Sequence, residues 1–330
     1  MKKVEKIERM RKIPVLLCVV LVSLVFACVS LASEPRVSLV IATGGEAGVY
    51  YPLGVGLAEL LTKHLDGTEV TAMASDASAA NVNMIANGEV ALALVQNDVA
   101  FRAINGERPF REPVGNLSMI AALYPEYVQF ITVRGNGVNT ISDLKGMRVS
   151  VGTMDSGSID SVSAILSAAG IRHSDINAVF LNFASTALRI QEGELDAGVV
   201  LAGYPTAAVE ALGSRVDINL VAFEDGLLEK LSDAYSFFTR GVIPAGTYSG
   251  IDHDTPTITV RALLVADSNL PDDLVYDITR AIFENLEELT PVHPKAEMIS
   301  LENALHGASI PVHPGAARFF AEKGLEVPTF

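Results

Sequence analysis

The chain has 330 residues, of which 49% are apolar and 19% charged, and it carries a net charge of −15. That length exceeds one ordinary hydrophobic core, so two domains or lobes are expected, and the composition excludes a disordered chain. An acidic surface repels nucleic acid and anionic lipid, which excludes a nucleic-acid partner.

Lys2, Lys3, Lys6, Arg9, Arg11 and Lys12 precede an uncharged apolar stretch, Ile13 to Leu31, that ends in Ser30-Leu31-Ala32-Ser33. A basic start, an apolar middle and small residues at the end predict that residues 1–33 are a cleaved signal peptide and that the protein is periplasmic. Two alternatives stand beside cleavage. The stretch is nearly long enough to remain as an uncleaved anchor, and Val25-Phe26-Ala27-Cys28 resembles a lipoprotein site, although bulky Phe26 fits it poorly; either would tether the protein to the membrane. Both cysteines, Cys18 and Cys28, fall in this segment. A cleaved chain therefore has no disulfide, thiol nucleophile or cysteine metal site. Losing six basic and two acidic residues would take the net charge from −15 to −19.

Beyond the signal, short apolar strands alternate with helical patterns, which predicts α/β architecture. Val37 to Ala42 reads as a strand, and Leu53, Leu57, Leu60, Leu61 and His64 fall on one helical face behind Pro52. Val70 to Ala74 is a second strand, Ser78 caps a helix carrying Val82 and Ile85, and Val90 to Val95 is a third strand. Met119 to Ala122, Val128 to Val133 and Arg148 to Val151 follow as strands. A helix then carries Ile159, Val162, Ile165 and Leu166 up to Gly170. Strands at Ala178 to Leu181, Gly198 to Leu201 and Asn219 to Phe223 alternate with helices at Thr186 to Gln191 and Thr206 to Leu212. Thr257 to Ala266 and a helix from Leu274 to Leu289 have no full sheet of their own. An inserted lobe accommodates them, with residues 34–133 and 241–330 in lobe 1 and 134–240 in lobe 2, the chain crossing near Val133 and Gly241.

Three constellations sit at strand-to-helix junctions. Gly44-Gly45-Glu46-Ala47-Gly48 with Tyr50 and Tyr51 offers close backbone approach and positive φ. Ser78 with Asn81, behind Ser75 and Asp76, opens a helix. Ser156-Gly157-Ser158 opens another, whose free amides and dipole suit a carboxylate without any arginine. Plainer readings stand beside these: a tight turn at Gly44 to Gly48, N-caps at Ser78 and Ser158, and half-buried core tyrosines.

The run Gly44-Gly45-x-x-Gly48-x-Tyr50-Tyr51-Pro52-Leu53-Gly54, with Asn81, Gly88-Glu89, Ala91 to Gln96 and Asp98, resembles TAXI-type solute receptors of tripartite ATP-independent periplasmic (TRAP) transporters. Asp143 to Gly146, Val149 to Gly152 with Ser156-Gly157-Ser158, Asp196-Ala197, Gly203-x-Pro205-Thr206, Pro244 to Tyr248 and His313-Pro314-Gly315 extend the resemblance from about Val37 to Gly324. It implies a type II-like periplasmic binding protein fold: two α/β lobes closing by hinge motion on a ligand cleft between them. It also implies a monomeric receptor with no cofactor, handing a small-molecule solute to TRAP membrane permease subunits driven by an ion gradient. Relatives are associated with glutamate, glutamine and dicarboxylates such as 2-oxoglutarate. Carried onto this chain, the ligand contacts would be Gly44, Gly45, Glu46, Ala47 and Gly48, Tyr50 or Tyr51, Ser78 and Asn81, Gln96 and Asn97, Ser156, Gly157 and Ser158, and the Gly203-Tyr204 turn.

Three residues depart from the pattern of the family it resembles. Glu46-Ala47 stands where relatives commonly carry a small polar residue and a glycine, and Ala77 replaces the glycine usual before Ser78. A carboxylate at position 46 would repel a second anion by about 1–4 kcal/mol at contact. It would instead hold a ligand ammonium, favouring an amino acid, or it points to solvent. A dicarboxylate or 2-oxo acid is the alternative solute, and a signalling partner the alternative output. Catalysis is not expected: Asp155-Ser156-Gly157-Ser158 lacks the Gly-x-Ser-x-Gly frame, no Gly-Lys-Ser/Thr follows the first loop, and the six histidines show no zinc spacing. His293-Pro294 and His313-Pro314 read as turns.

Overall fold

The computed structural model describes residues 37–330. The expected signal peptide, with Cys18 and Cys28, lies outside the described residues.

Strand β1 (Val37–Ala42) leads into helix α1 (Tyr50–His64), which buries Leu53, Leu57, Leu60 and Leu61 and ends on Lys63 and His64. The Lys63 cation in that last turn complements the helix dipole. β2 (Thr68–Met73), α2 (Ser78–Ala86), β3 (Leu92–Gln96) and α3 (Asn97–Asn105) follow. The sequence pattern does not reveal α3.

β4 runs unbroken from Leu117 to Val133, where two strands, Met119 to Ala122 and Val128 to Val133, were expected. Pro125 and Glu126 between them suggest an interruption; the ladder does shift register between Ala122 and Pro125, but Pro125 and Glu126 still pair with Arg261 and Val260, so the strand continues. The remaining elements are β5 (Arg148–Ser150), α4 (Ser158–Ala168), β6 (Asn177–Val179), α5 (Phe183–Gln191), β7 (Ala197–Ala202), α6 (Ala207–Gly213), β8 (Ile218–Leu220), α7 (Asp225–Ala234), β9 (Thr239–Ile243), β10 (Thr255–Asp267), α8 (Asp272–Glu284) and α9 (Pro314–Glu322). Helix α8 stops at Glu284, short of the expected Leu289. Asn285 leaves helical geometry there, and its side chain donates back to Ala281 O at 2.8 Å.

The strand order is β2-β1-β3-β10-β4-β7-β5-β6, with β8 beside β4 and β9 beside β10. β4 and β10 are antiparallel from Leu117 and Asp267 to Tyr127 and Thr259, and both run through the whole sheet. β10 pairs with β3 through Ala262 to Ala266 and with β9 through Thr255 to Thr259. β4 pairs with β7 only from Tyr127 onward. Strand partners change at Glu126-Tyr127 and at Val260-Arg261, which face each other. Gly241 itself is paired with Thr257 inside β9. One buried apolar cluster draws only on residues 128–260, and another only on residues 42–122 and 263–310. A third and larger cluster joins both sides, with Leu53, Leu57 and Leu92 in one body with Ile190, Val209 and Ile218.

Candidate functional site

The three strand-to-helix junctions singled out in the sequence converge, joined by a fourth at α5. They border a cavity of about 410 Å³ between the lobes, within the range of small-molecule sites. Gly44 to Gly48 and Tyr50 supply one wall, Ser75 to Ala77 and Gln96 a second, and Ser156 to Ser158 a third. Asn182, Phe183 and Ala184 at the start of α5 close it from the other lobe. The starts of α1, α4 and α5 therefore all border the cavity, and first-turn amides favour an anion there.

Its charged lining is one-sided. Glu46, Asp76 and Glu126 line it, with no lysine, arginine or histidine among the described residues that do so. Glu46 and Asp76 are exposed. Glu126 is only 2% exposed and sits where β4 changes partners. Tyr50 Oη donates to Glu126 Oε2 at 3.0 Å. Burial pushes the Glu126 carboxyl up to about 8, and burial with the neighbouring Glu126 pushes the Tyr50 phenol well above its ordinary range. A lone acidic residue inside the apolar run Leu117 to Val133 was the sequence signal for Glu126. The sheltered Leu181, Phe183, Leu201 and Ala202 carried no comparable signal, because apolar residues at strand ends read as core.

The lobes touch above the cavity. Asp155 O accepts from Ala79 N and Ala80 N at 3.1 Å each, and Ala47 O accepts from Ala208 N at 3.2 Å. Ser161 Oγ donates to Asp98 Oδ2 at 3.1 Å. Burial pushes Asp98 up to about 6.

Six of the sequence-derived residues lie outside the cavity lining. Ser78 Oγ accepts from Gln96 N at 3.1 Å, a tie within its own lobe. Asn81 is fully buried and bonded to strand-end carbonyls. Asn97 Nδ2 donates to Gly307 O at 3.2 Å and Asn97 Oδ1 accepts from Arg261 N at 3.0 Å, clamping the C-terminal segment. Tyr51 is half-buried on the α1 surface. Gly203 packs against Tyr124 and Lys295, and Tyr204 lies edge-on to Tyr127 with ring centroids 4.6 Å apart. The buried Lys295 Nζ stands 3.3 Å from the Tyr204 centroid, and burial pushes its amine down to about 8.

The positive φ expected of the first loop is absent at Gly44, Gly45 and Gly48. Gly48 serves close approach instead: a Cβ there would meet Gly45 O at 3.3 Å and Phe183 Cδ2 of the other lobe at 3.5 Å. The unusual backbone is at Ala77, with φ 69° and ψ −144°, the one non-glycine residue at positive φ among the described residues. That region is nearly glycine-only and costs an L-residue about 1–3 kcal/mol. Ala77→Gly is expected to stabilise the protein by about 1 kcal/mol after the extra chain entropy of glycine is deducted. A higher urea midpoint at unchanged m would show it; a lower midpoint would mean that Ala77 is not strained.

This arrangement, two α/β lobes joined by crossing strands around a cavity, is the fold of periplasmic solute-binding proteins. The chain is similar to PhnD1 of Prochlorococcus marinus (MIT 9301), whose structure holds methylphosphonate, at 15% identity and a TM-score of 0.55, with 81% of this chain and 92% of that one covered. It is also similar to a binding-protein component of an ABC phosphonate transporter from Pseudomonas aeruginosa, at 11% identity and a TM-score of 0.55, with 80% of each chain covered. A Xanthomonas citri protein bound to ATP matches at 12% identity and a TM-score of 0.51, over 86% of this chain and 94% of that one. The chain belongs to the NMT1-like family, which it matches over residues 41–324.

Proposed function

We propose that this protein is a periplasmic receptor that closes its two lobes over a small amino acid of the glutamate/glutamine class and delivers it to a TRAP-type permease. One observation carries the solute class: helix starts and carboxyl groups border the same cavity, with no cationic side chain in its lining. A carboxylate finds amides at the helix starts, and an ammonium finds Glu46, Asp76 and Glu126. A dicarboxylate or 2-oxo acid would gain the first interaction and lose the second. The cavity has the size of a small solute, and hydrogen bonds from Ala79, Ala80 and Ala208 join the two sides of the cleft. The permease class follows from the motif resemblance, and the Pseudomonas aeruginosa relative, a binding component of an ABC phosphonate transporter, supplies the competing partner.

The test of the solute is a thermal-shift panel on protein expressed from Ser33 onward and stripped of carried-over ligand. It would compare L-glutamate, L-glutamine, 2-oxoglutarate, succinate, methylphosphonate and glucose. A ligand at a thousand times its dissociation constant adds about 4 kcal/mol to the folded state. Shifts confined to glutamate or glutamine are the expected result, and a response to dicarboxylates or phosphonate alone would overturn the amino-acid class. Uptake into vesicles separates the partners: dependence on a sodium gradient supports a TRAP permease, and dependence on ATP supports an ABC one.

A further inference from the structure

Three carboxyl groups border the cavity, and they differ in kind. Glu46 and Asp76 lie at exposed positions, where water screens them. Glu126 is 2% exposed, at the crossing of β4 and β10. Its ionisable neighbours are Tyr50 from α1, Tyr124 two residues before it on β4, and Asp98 from α3, with Gln96 beside them; none of these brings a positive charge. Tyr50 Oη donates to Oε2 at 3.0 Å, which leaves acceptor capacity on the carboxyl for a second donor. Gln96, 4% exposed and also lining the cavity, has a buried Oε1 without a hydrogen-bond partner.

We propose that Glu126 is the residue that separates an amino acid from the corresponding 2-oxo acid: it receives the solute's ammonium group, and a proton leaves the site as it does. The inference rests on the amino-acid reading of the cleft. In the empty cavity the buried carboxyl has no cation beside it and keeps its proton at neutral pH. An ammonium arriving in the cavity supplies the missing charge. The O–H of Glu126 then releases its proton to solvent, and the carboxylate accepts N–H hydrogen bonds from the ammonium, which stays protonated. A 2-oxo acid brings a carbonyl oxygen to the same place and leaves the proton where it is.

The two solutes therefore respond oppositely to pH. Glutamate binding releases a proton below about pH 8, so its affinity rises about tenfold per pH unit toward that value. A 2-oxo acid prefers the neutral carboxyl, so its affinity is flat below about pH 8 and falls above it. Exposed Glu46 would impose no such difference.

The test is calorimetry of L-glutamate and 2-oxoglutarate on wild type and Glu126→Gln at about pH 6, 7 and 8. Each titration is repeated in two buffers of different ionisation enthalpy, which reads the protons released. The expected result for wild type is close to one proton released per glutamate at about pH 6, and none for 2-oxoglutarate. Glu126→Gln is expected to weaken glutamate about tenfold or more at pH 8 relative to 2-oxoglutarate and to abolish its pH dependence. Glutamate binding by wild type without proton release, or a preference unchanged in Glu126→Gln, overturns the assignment of Glu126 and leaves the amino-acid reading standing. Wild type that takes 2-oxoglutarate but not amino acids overturns both. If the variant fails to fold, the wild-type proton count at about pH 7 decides the matter, because Asp98, pushed up only to about 6, has lost most of its proton there while Glu126 has not.

Discussion

Gly157→Ala is expected to leave the protein folded and to weaken solute binding about ten- to a hundredfold. Gly157 precedes α4 in the second lobe, and a Cβ built there falls on Gln96 Oε1 and lies 2.8 Å from Gln96 Cδ and Val99 Cγ2. Overlap of that kind costs about 1–3 kcal/mol where neighbours cannot yield. Gln96 and Val99 both belong to the first lobe, at the end of β3 and the start of α3. Opening the cleft therefore relieves the clash without disturbing either core. The penalty falls on the closed state alone, and affinity drops by the factor through which closure is disfavoured. Each 1.4 kcal/mol corresponds to about tenfold. Calorimetry with the best ligand of the panel, beside thermal unfolding of the unliganded protein, separates the two effects. Unchanged affinity would mean that Gly157 does not limit closure. A large loss of unliganded stability would mean that the lobes do not separate.

The order of strands and helices around the cleft was legible because each element carries its own period. The Leu53-Leu57-Leu60-Leu61 face of α1 and the fully apolar β3 are local patterns, and packing left them unchanged. What was not legible depends on contacts between distant segments. The change of strand partners lies inside β4, where Pro125-Glu126 looks like a break; the ladder shifts register beside Pro125, and pairing with Val260 and Arg261 carries the strand past it. Glu126 stands next to the cavity for the same reason. Asn97, expected to touch ligand, opens α3 instead and is bonded to residues 261 and 307, far along the chain. His293 and His313, read as turn formers, instead accept the backbone N–H groups of Lys295 and Gly315, where short helical segments begin. Among polar residues near the junctions, sequence could not separate those that face solvent-filled space from those that tie the loops together.

Asn81 is the sharpest case, and Asn81→Ala is expected to cost about 2–4 kcal/mol of stability while leaving solute affinity within about threefold. Its side chain is fully buried. Nδ2 donates to Thr43 O at 2.6 Å and to Leu94 O at 2.7 Å, and Oδ1 accepts from Ser75 Oγ at 2.6 Å. One amide thus joins the end of β1, the body of β3 and the loop before α2. Truncation strands carbonyls in a place water does not reach, and each unsatisfied polar group costs about 1–3 kcal/mol. At about 2–4 °C per kcal/mol for a chain of this order of size, the unliganded melting temperature should fall by roughly 5–15 °C. Asn81→Asp keeps the volume but presents an acceptor to two carbonyls, so it should be at least as damaging. Binding of the panel's best ligand at a temperature where both variants are folded is the deciding readout. A variant that keeps its melting temperature but loses the ligand would place Asn81 in direct contact with solute, as the family resemblance implies. A variant that melts early and still binds would show that the asparagine builds the wall of the cleft without touching what the cleft holds.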